Sequence, residues 1–168
     1  AIVVDDFGYS KNNMDVFLSL KHPITLSILP GQRFTREVAV MAKAHGFEVI
    51  LHLPLESNRE DVVEEVDTIR TGMGEKEILI RLKKDINSVP GIGGVSNHMG
   101  SKATADRAVM TSIIKYLKLR GLYYFDSLTS SKSVCVAVAK SLGVRTAKRD
   151  MFLDNSNNSA AIEKQLAD

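Results

Sequence analysis

Short apolar runs alternate along this chain with stretches of helical periodicity. The run Ala1-Ile2-Val3-Val4 leads into two adjacent carboxylates, Asp5 and Asp6, and then Phe7-Gly8-Tyr9, which reads as a buried strand ending at the acids. Residues 13–20 show helical spacing through Met14, Phe17 and Leu18. Residues 24–29 alternate as a strand and stop at Pro30-Gly31. Residues 34–45 predict a helix capped by Gly46, and residues 48–53 predict a strand halted at Pro54. Residues 57–66 are too acidic for a core strand and read as a loop or a solvated helix. Residues 75–86 predict a helix with Ile78, Leu79 and Leu82 on one face. A glycine-rich stretch, residues 90–96, then reaches Asn97-His98-Met99-Gly100-Ser101. Residues 104–120 give the clearest helical pattern. A strand at 122–125 ending at Asp126-Ser127, a helix at 133–142, a strand at 144–147 and a helix at 160–166 complete the chain. Strict β/α alternation predicts a parallel sheet with right-handed crossovers. Five or six strands suit an open sheet or an incomplete barrel. No internal repeat or low-complexity segment interrupts the pattern.

Composition narrows the class. The 168 residues suffice for a real core and predict a single α/β domain over 1–168; 44% hydrophobic and 25% charged residues are ordinary for a globular chain. A net charge of +2 with scattered Lys and Arg leaves no footprint for nucleic acid. The single cysteine, Cys135, excludes an intrachain disulfide and a multi-cysteine zinc site, and its apolar surroundings predict a small core residue. No apolar run reaches the length of a membrane span. Opening on a core strand without Met is what a trimmed or processed domain would show, with any signal peptide or anchor outside these residues.

The polar residues carry the chemistry. Asp5, Asp6, His52, Asn97, His98 and Asp126 all fall at or just past the carboxyl ends of predicted strands, where α/β folds place their sites. Neighbouring side chains on a strand point opposite ways, so Asp5 and Asp6 have different tasks unless the backbone bends. One of the pair alternatively caps the following helix. Glu56 follows His52 by four residues, past Pro54. His22 precedes Pro23 in a turn, and His45 closes a helix beside Gly46, where it suits the helix dipole. A carboxylate and two imidazoles from three strand ends form a ligand set for zinc, iron, cobalt or nickel, with a position left for water. The alternative is that each histidine is a hydrogen-bonded structural group. Ser101 or Thr104 alternatively caps the helix that follows.

Five segments carry a resemblance: residues 1–9 (Ala-Ile-Val-Val-Asp-Asp-Phe-Gly-Tyr), 52–56 (His-Leu-Pro-Leu-Glu), 94–101 (Gly-Val-Ser-Asn-His-Met-Gly-Ser), 125–127 (Phe-Asp-Ser) and 149–154 (Arg-Asp-Met-Phe-Leu-Asp). Together they run across nearly the whole chain, which resembles the divergent polysaccharide deacetylase family, a remote branch of the NodB-like carbohydrate esterases. The resemblance implies an incomplete (β/α) barrel with a divalent metal, most simply zinc, at the carboxyl face of its strands. It implies Asp5 as general base and Asp6 as metal ligand, with His52 matching the first histidine of a His-x-x-x-His pair. Glu56 stands where the second histidine would be, so His98 is expected to fill that place, with Glu56 as a further ligand or a partner behind the ligands. The implied activity is hydrolysis of N- or O-acetyl groups on a cell-envelope or other polysaccharide, in an extracytoplasmic compartment. Asn97, Ser101, Asp126, Ser127 and Arg149 would then bind substrate, the glycine-rich approach to Asn97 letting backbone near a sugar ring. Arg149 reads equally as half of a buried ion pair with Asp150. The family also continues into a strand with a Gly-His-Pro element, comparable to a general-acid histidine, whereas this sequence stops at Asp168. Two other classes stay open. One is a non-catalytic carbohydrate or cell-envelope binding domain that keeps the fold and metal. The other is a metal-dependent hydrolase of another bond, against which the lack of a phosphate loop weighs only for nucleotides.

Overall fold

The computed structural model describes residues 1–156 and 158–167. Six strands appear: β1 (Val3–Phe7), β2 (Thr25–Ile28), β3 (Glu48–Leu55), β4 (Gly94–Met99), β5 (Tyr123–Asp126) and β6 (Thr146–Lys148). They alternate with α1 (Met14–Leu18), α2 (Thr35–Ala44), α3 (Glu75–Ser88), α4 (Arg107–Leu119), α5 (Cys135–Leu142) and α6 (Ser159–Ala167). The sheet runs β1-β2-β3-β4-β5-β6 with every pair parallel. Each crossover therefore steps the same way, so right-handed connections lay the helices along one face. Among the described residues β1 and β6 do not pair, and the result is an open α/β sheet, an incomplete barrel.

Register separates the two faces. Leu26, Ile28, Val49, Leu51, Leu53, Leu55, Val95 and Tyr124 point to the helices and bury against Val38, Ala42, Leu82, Ile113, Leu117 and Val138. The other face carries Ser27, Ile50, His52, Ser96 and His98. Ser27 on β2 and Ser96 on β4 approach to 2.7 Å between their Oγ atoms, across the intervening β3. Flat strands two apart are separated by roughly 9–10 Å, so this face is strongly concave. Cys135 is a fully buried core residue, and burial pushes its thiol up to about 11, which keeps it unreactive.

The glycine-rich stretch is not an open approach to a sugar: from Gly94 onward it is the central strand β4. A Cβ at Gly94 would stand 2.6 Å from the Tyr123 ring, so the glycine makes room for a neighbouring side chain. The predicted helix at 104–120 begins later, after a 3₁₀ turn (Ala103–Ala105). Its cap is Asp106, whose carboxylate accepts from the backbone N–H of Ala108 and Val109 at 2.8 and 3.1 Å. Neither Ser101 nor Thr104 caps it; Thr104 instead donates to the Gly100 carbonyl. No helix among the described residues is long and apolar enough to cross a membrane.

Candidate metal centre

Strand β1 is bulged. Val4 pairs with Leu26 and Phe7 with Ile28, so three steps on β1 match two on β2. The extra residue falls at the acids, where Asp6 adopts a left-handed φ of 62°. This bend is what lets both carboxylates reach one side, against simple alternation. Asp6 Oδ1 lies 3.3 Å from His52 Nε2 and 3.0 Å from His98 Nδ1. His52 and His98 come from adjacent strands on the concave face, their rings edge to face at 5.0 Å. One donor atom from each of Asp6, His52 and His98 lies within 4.8 Å of the others. His52 is buried, His98 less so, and the Asp6 side chain is 59% exposed, so the cluster runs from a floor to a mouth.

Electrostatics suit a cation. Hydrogen bonds from His52 and then His98 hold the Asp6 carboxyl far below the usual carboxylate range, against the opposing effect of burial. Asp6 therefore stays ionised. Two imidazole nitrogens and one carboxylate oxygen, open on one side to solvent, fit a zinc-type ion with a free coordination position. Asp5, about a third exposed, sits with Oδ1 3.9 Å from His52 Nδ1. Left-handed φ values recur at Met99 (52°), the last residue of β4, and at Leu128 (47°), just past β5. Such conformations persist in non-glycine residues only where the surroundings enforce them, and here they gather at one edge of the sheet.

The remaining predicted residues have other tasks. Glu56 stays out of the cluster: its carboxylate accepts from Lys102 at 2.8 Å and from the Thr71 N–H and hydroxyl at 2.8 and 2.5 Å. Burial pushes its carboxyl up, but these donors outweigh that and hold it below its ordinary value. Asn97 alternates with His98 and faces the helices. Its Oδ1 accepts from the Ser127 N–H and the Tyr124 hydroxyl, and its Nδ2 donates to the Met99 carbonyl. Asp126, also buried, accepts from the Leu128 N–H and the Ser133 hydroxyl. The Ser127 hydroxyl is buried without a partner among the described residues. Arg149 pairs not with Asp150 but with the Ser127 and Leu128 carbonyls, at 2.8 and 3.0 Å, its guanidinium over the Phe152 ring. Ser101 accepts from the Asn58 N–H at 2.9 Å. His45 bonds the Met41 carbonyl at its helix end.

Some neighbours of the cluster escape a reading by motif. Glu65, in the loop between β3 and α3, accepts from the Tyr9 hydroxyl and from Gln32 Nε2, linking three loops at the carboxyl edge. Ser96 lies 2.8 Å from His52 Nδ1. The strand alternation that places Ser27 opposite Leu26 and Ile28 was the available signal for the serines; nothing local marks Glu65.

The fold and the donor set define an α/β protein with a candidate metal centre at the carboxyl edge of a parallel sheet. The chain belongs to the divergent polysaccharide deacetylase family, whose model matches residues 2–168. It is 36% identical over 166 residues to the uncharacterized protein YibQ of Escherichia coli (strain K12), covering 99% of this chain and 52% of that protein. An uncharacterized protein of Haemophilus influenzae is 33% identical over 166 residues, covering 99% of this chain and 59% of its own. The chain thus spans little more than half the length of these relatives. The crystal structure of uncharacterized protein ATU2773 from Agrobacterium tumefaciens C58 superposes with a TM-score of 0.92 at 24% identity, over 99% of this chain and 69% of that one. That likeness supports the fold alone.

Proposed function

We propose that this chain is a zinc-dependent carbohydrate deacetylase acting on N- or O-acetyl groups of a cell-envelope or other polysaccharide. The observation that carries the reading is the convergence of Asp6, His52 and His98. Those three side chains would hold the ion. The chemistry supplied by a bound zinc is polarisation of an acyl carbonyl and acidification of a nearby water to a pKa of about 7. Asp5 accepts the proton of the attacking water. Glu56 keeps the β3 and β4 ends together through Lys102 instead of binding metal. Asn97, Asp126, Ser127 and Arg149 serve substrate binding by fixing the β5–α5 loop, and Ser101 keeps a hydroxyl on the same edge as a direct contact. An envelope substrate would place the protein outside the cytoplasm, which cell fractionation checks.

One observation favours a second reading, a carbohydrate-binding module. The position matching the second histidine of the family's pair is Glu56, locked to Lys102 and Thr71. Metal content tests the site, and acetate release separates the readings. Purified protein should carry about one zinc, lost in Asp6→Ala and in His98→Ala; metal retained in both variants would overturn the site. Acetate release from N-acetylated glycans should fall about 10²- to 10⁴-fold in Asp5→Asn with zinc retained. Glycan binding by the wild type without acetate release would select the binding module.

A further inference from the structure

Ser27 and Ser96 are fully buried on the concave face, and the proposed chemistry leaves their hydroxyls without a task. Their Oγ atoms lie 2.7 Å apart, and Ser96 Oγ is 2.8 Å from His52 Nδ1. We propose that Ser96, backed by Ser27, is a positioning residue that holds the Nδ1 proton of His52 and so keeps the Nε2 lone pair aimed at the metal position between Asp6 and His98. The proposal rests on reading the triad as a metal site.

The inventory of hydrogens on the His52 ring fixes where its proton must sit. A neutral imidazole carries one N–H, and the nitrogen that binds a metal must carry none. Nε2 is the nitrogen on the Asp6 side. The proton therefore belongs on Nδ1, which needs an acceptor. Asp5 at 3.9 Å is beyond direct hydrogen-bond reach, whereas Ser96 Oγ is within it. Once Ser96 accepts from Nδ1, its own O–H must donate elsewhere. Ser27 Oγ at 2.7 Å is the near acceptor, the Leu51 carbonyl at 3.5 Å a distant one. The bonds then run in one direction, Nδ1–H to Ser96 to Ser27.

Geometry adds a second step. Ser96 sits beside His52 because the two pair in the β3–β4 register. Ser27 is a full strand further away and reaches Ser96 only because the sheet curves. The curvature of the fold and the orientation of the ligand are thereby tied together. Small size alone does not explain the pair, since alanine would fit the concave face equally well and would bury no hydroxyl at a cost. That difference makes Ser→Ala the informative substitution.

The test uses the full chain and zinc as the probe, with affinity read by competition against a chromophoric chelator. Ser96→Ala should weaken zinc binding about 10- to 100-fold, the usual effect of losing the group behind a metal histidine. Ser27→Ala should weaken it several-fold. The double variant should bind as Ser96→Ala does, because Ser27 acts only through Ser96. Long-range ¹H–¹⁵N spectra of the zinc-loaded wild type should show His52 protonated at Nδ1, with that N–H resonance moving upfield and exchanging faster with water in zinc-loaded Ser96→Ala. A Ser96→Ala protein with wild-type affinity, or a zinc-loaded wild type protonated at Nε2, overturns the proposal and leaves the triad standing. Failure of the wild type to bind zinc overturns the triad itself. If Ser96→Ala does not fold, Ser27→Ala decides, since unchanged affinity there overturns the relay.

Discussion

Asp85 is a buried carboxylate on α3 whose Oδ2 has no partner among the described residues. Burial pushes its carboxyl up to about 7; Asp67 adds to this, while Lys84 and Arg81 oppose it. The native value thus lies above the unfolded one of about 3.9, so the folded chain holds the extra proton between the two. Its contribution is most favourable below about pH 4 and is lost as pH rises through 7. Asp85→Asn should therefore be more stable than wild type at pH 8, by on the order of 2–4 kcal/mol, with the gap closing towards pH 4. Urea unfolding at both pH values checks this, and an equal gap at the two would refute it. At the same scale, the sequence revealed Asp6, His52 and His98 because their strands end in view. It grouped Asn97 with its neighbour His98, whereas alternation turns Asn97 to the helices, where its amide bonds the Ser127 N–H and the Met99 carbonyl.

Helices α2 to α5 were legible from their periodicity because each lays one apolar stripe on the sheet, and only their ends moved. Strands β2 and β3 were legible for a similar reason. The start of β4 was hidden because its concave side carries Gly94, Ser96 and His98 and leaves Val95 as its one strongly apolar signal. The bulge in β1 was hidden too, since nothing in Asp5-Asp6 announces which acid takes a left-handed φ. Glycine in a central strand normally weakens it, so Gly94 needs a cause, and the Tyr123 ring supplies one. Gly94→Ala should destabilise the chain by about 1–3 kcal/mol through overpacking. Tyr123→Leu should relieve most of that penalty in the double variant, measured as a non-additive change in unfolding free energy. Fully additive losses would mean that the ring is not what the glycine accommodates.

Sequential winding brings the carboxyl ends of β1, β3 and β4 to one edge, and the proposed ligands come from those three strands. Strand β1 pairs only with β2 among the described residues, so like β6 it is an edge strand held by backbone bonds on one side alone. A metal bound by Asp6, His52 and His98 would tie this edge strand across β2 to the centre of the sheet. Because such a site exists only in the folded chain, binding adds stability of about 2.7 kcal/mol at zinc one hundredfold above its dissociation constant. For a chain of this size that is a rise in Tm of about 5–11 °C. Zinc should therefore raise Tm, EDTA should reverse the rise, and Asp6→Ala should abolish it. Glu56→Gln should keep the shift while lowering Tm with and without zinc, because Glu56 bonds Lys102 and Thr71 outside the cluster. The stabilisation should be concentrated in β1, whose amides should exchange more slowly with zinc present. A shift equal in Asp6→Ala and wild type would place the ion elsewhere on the molecule, and the edge strand would then owe nothing to it.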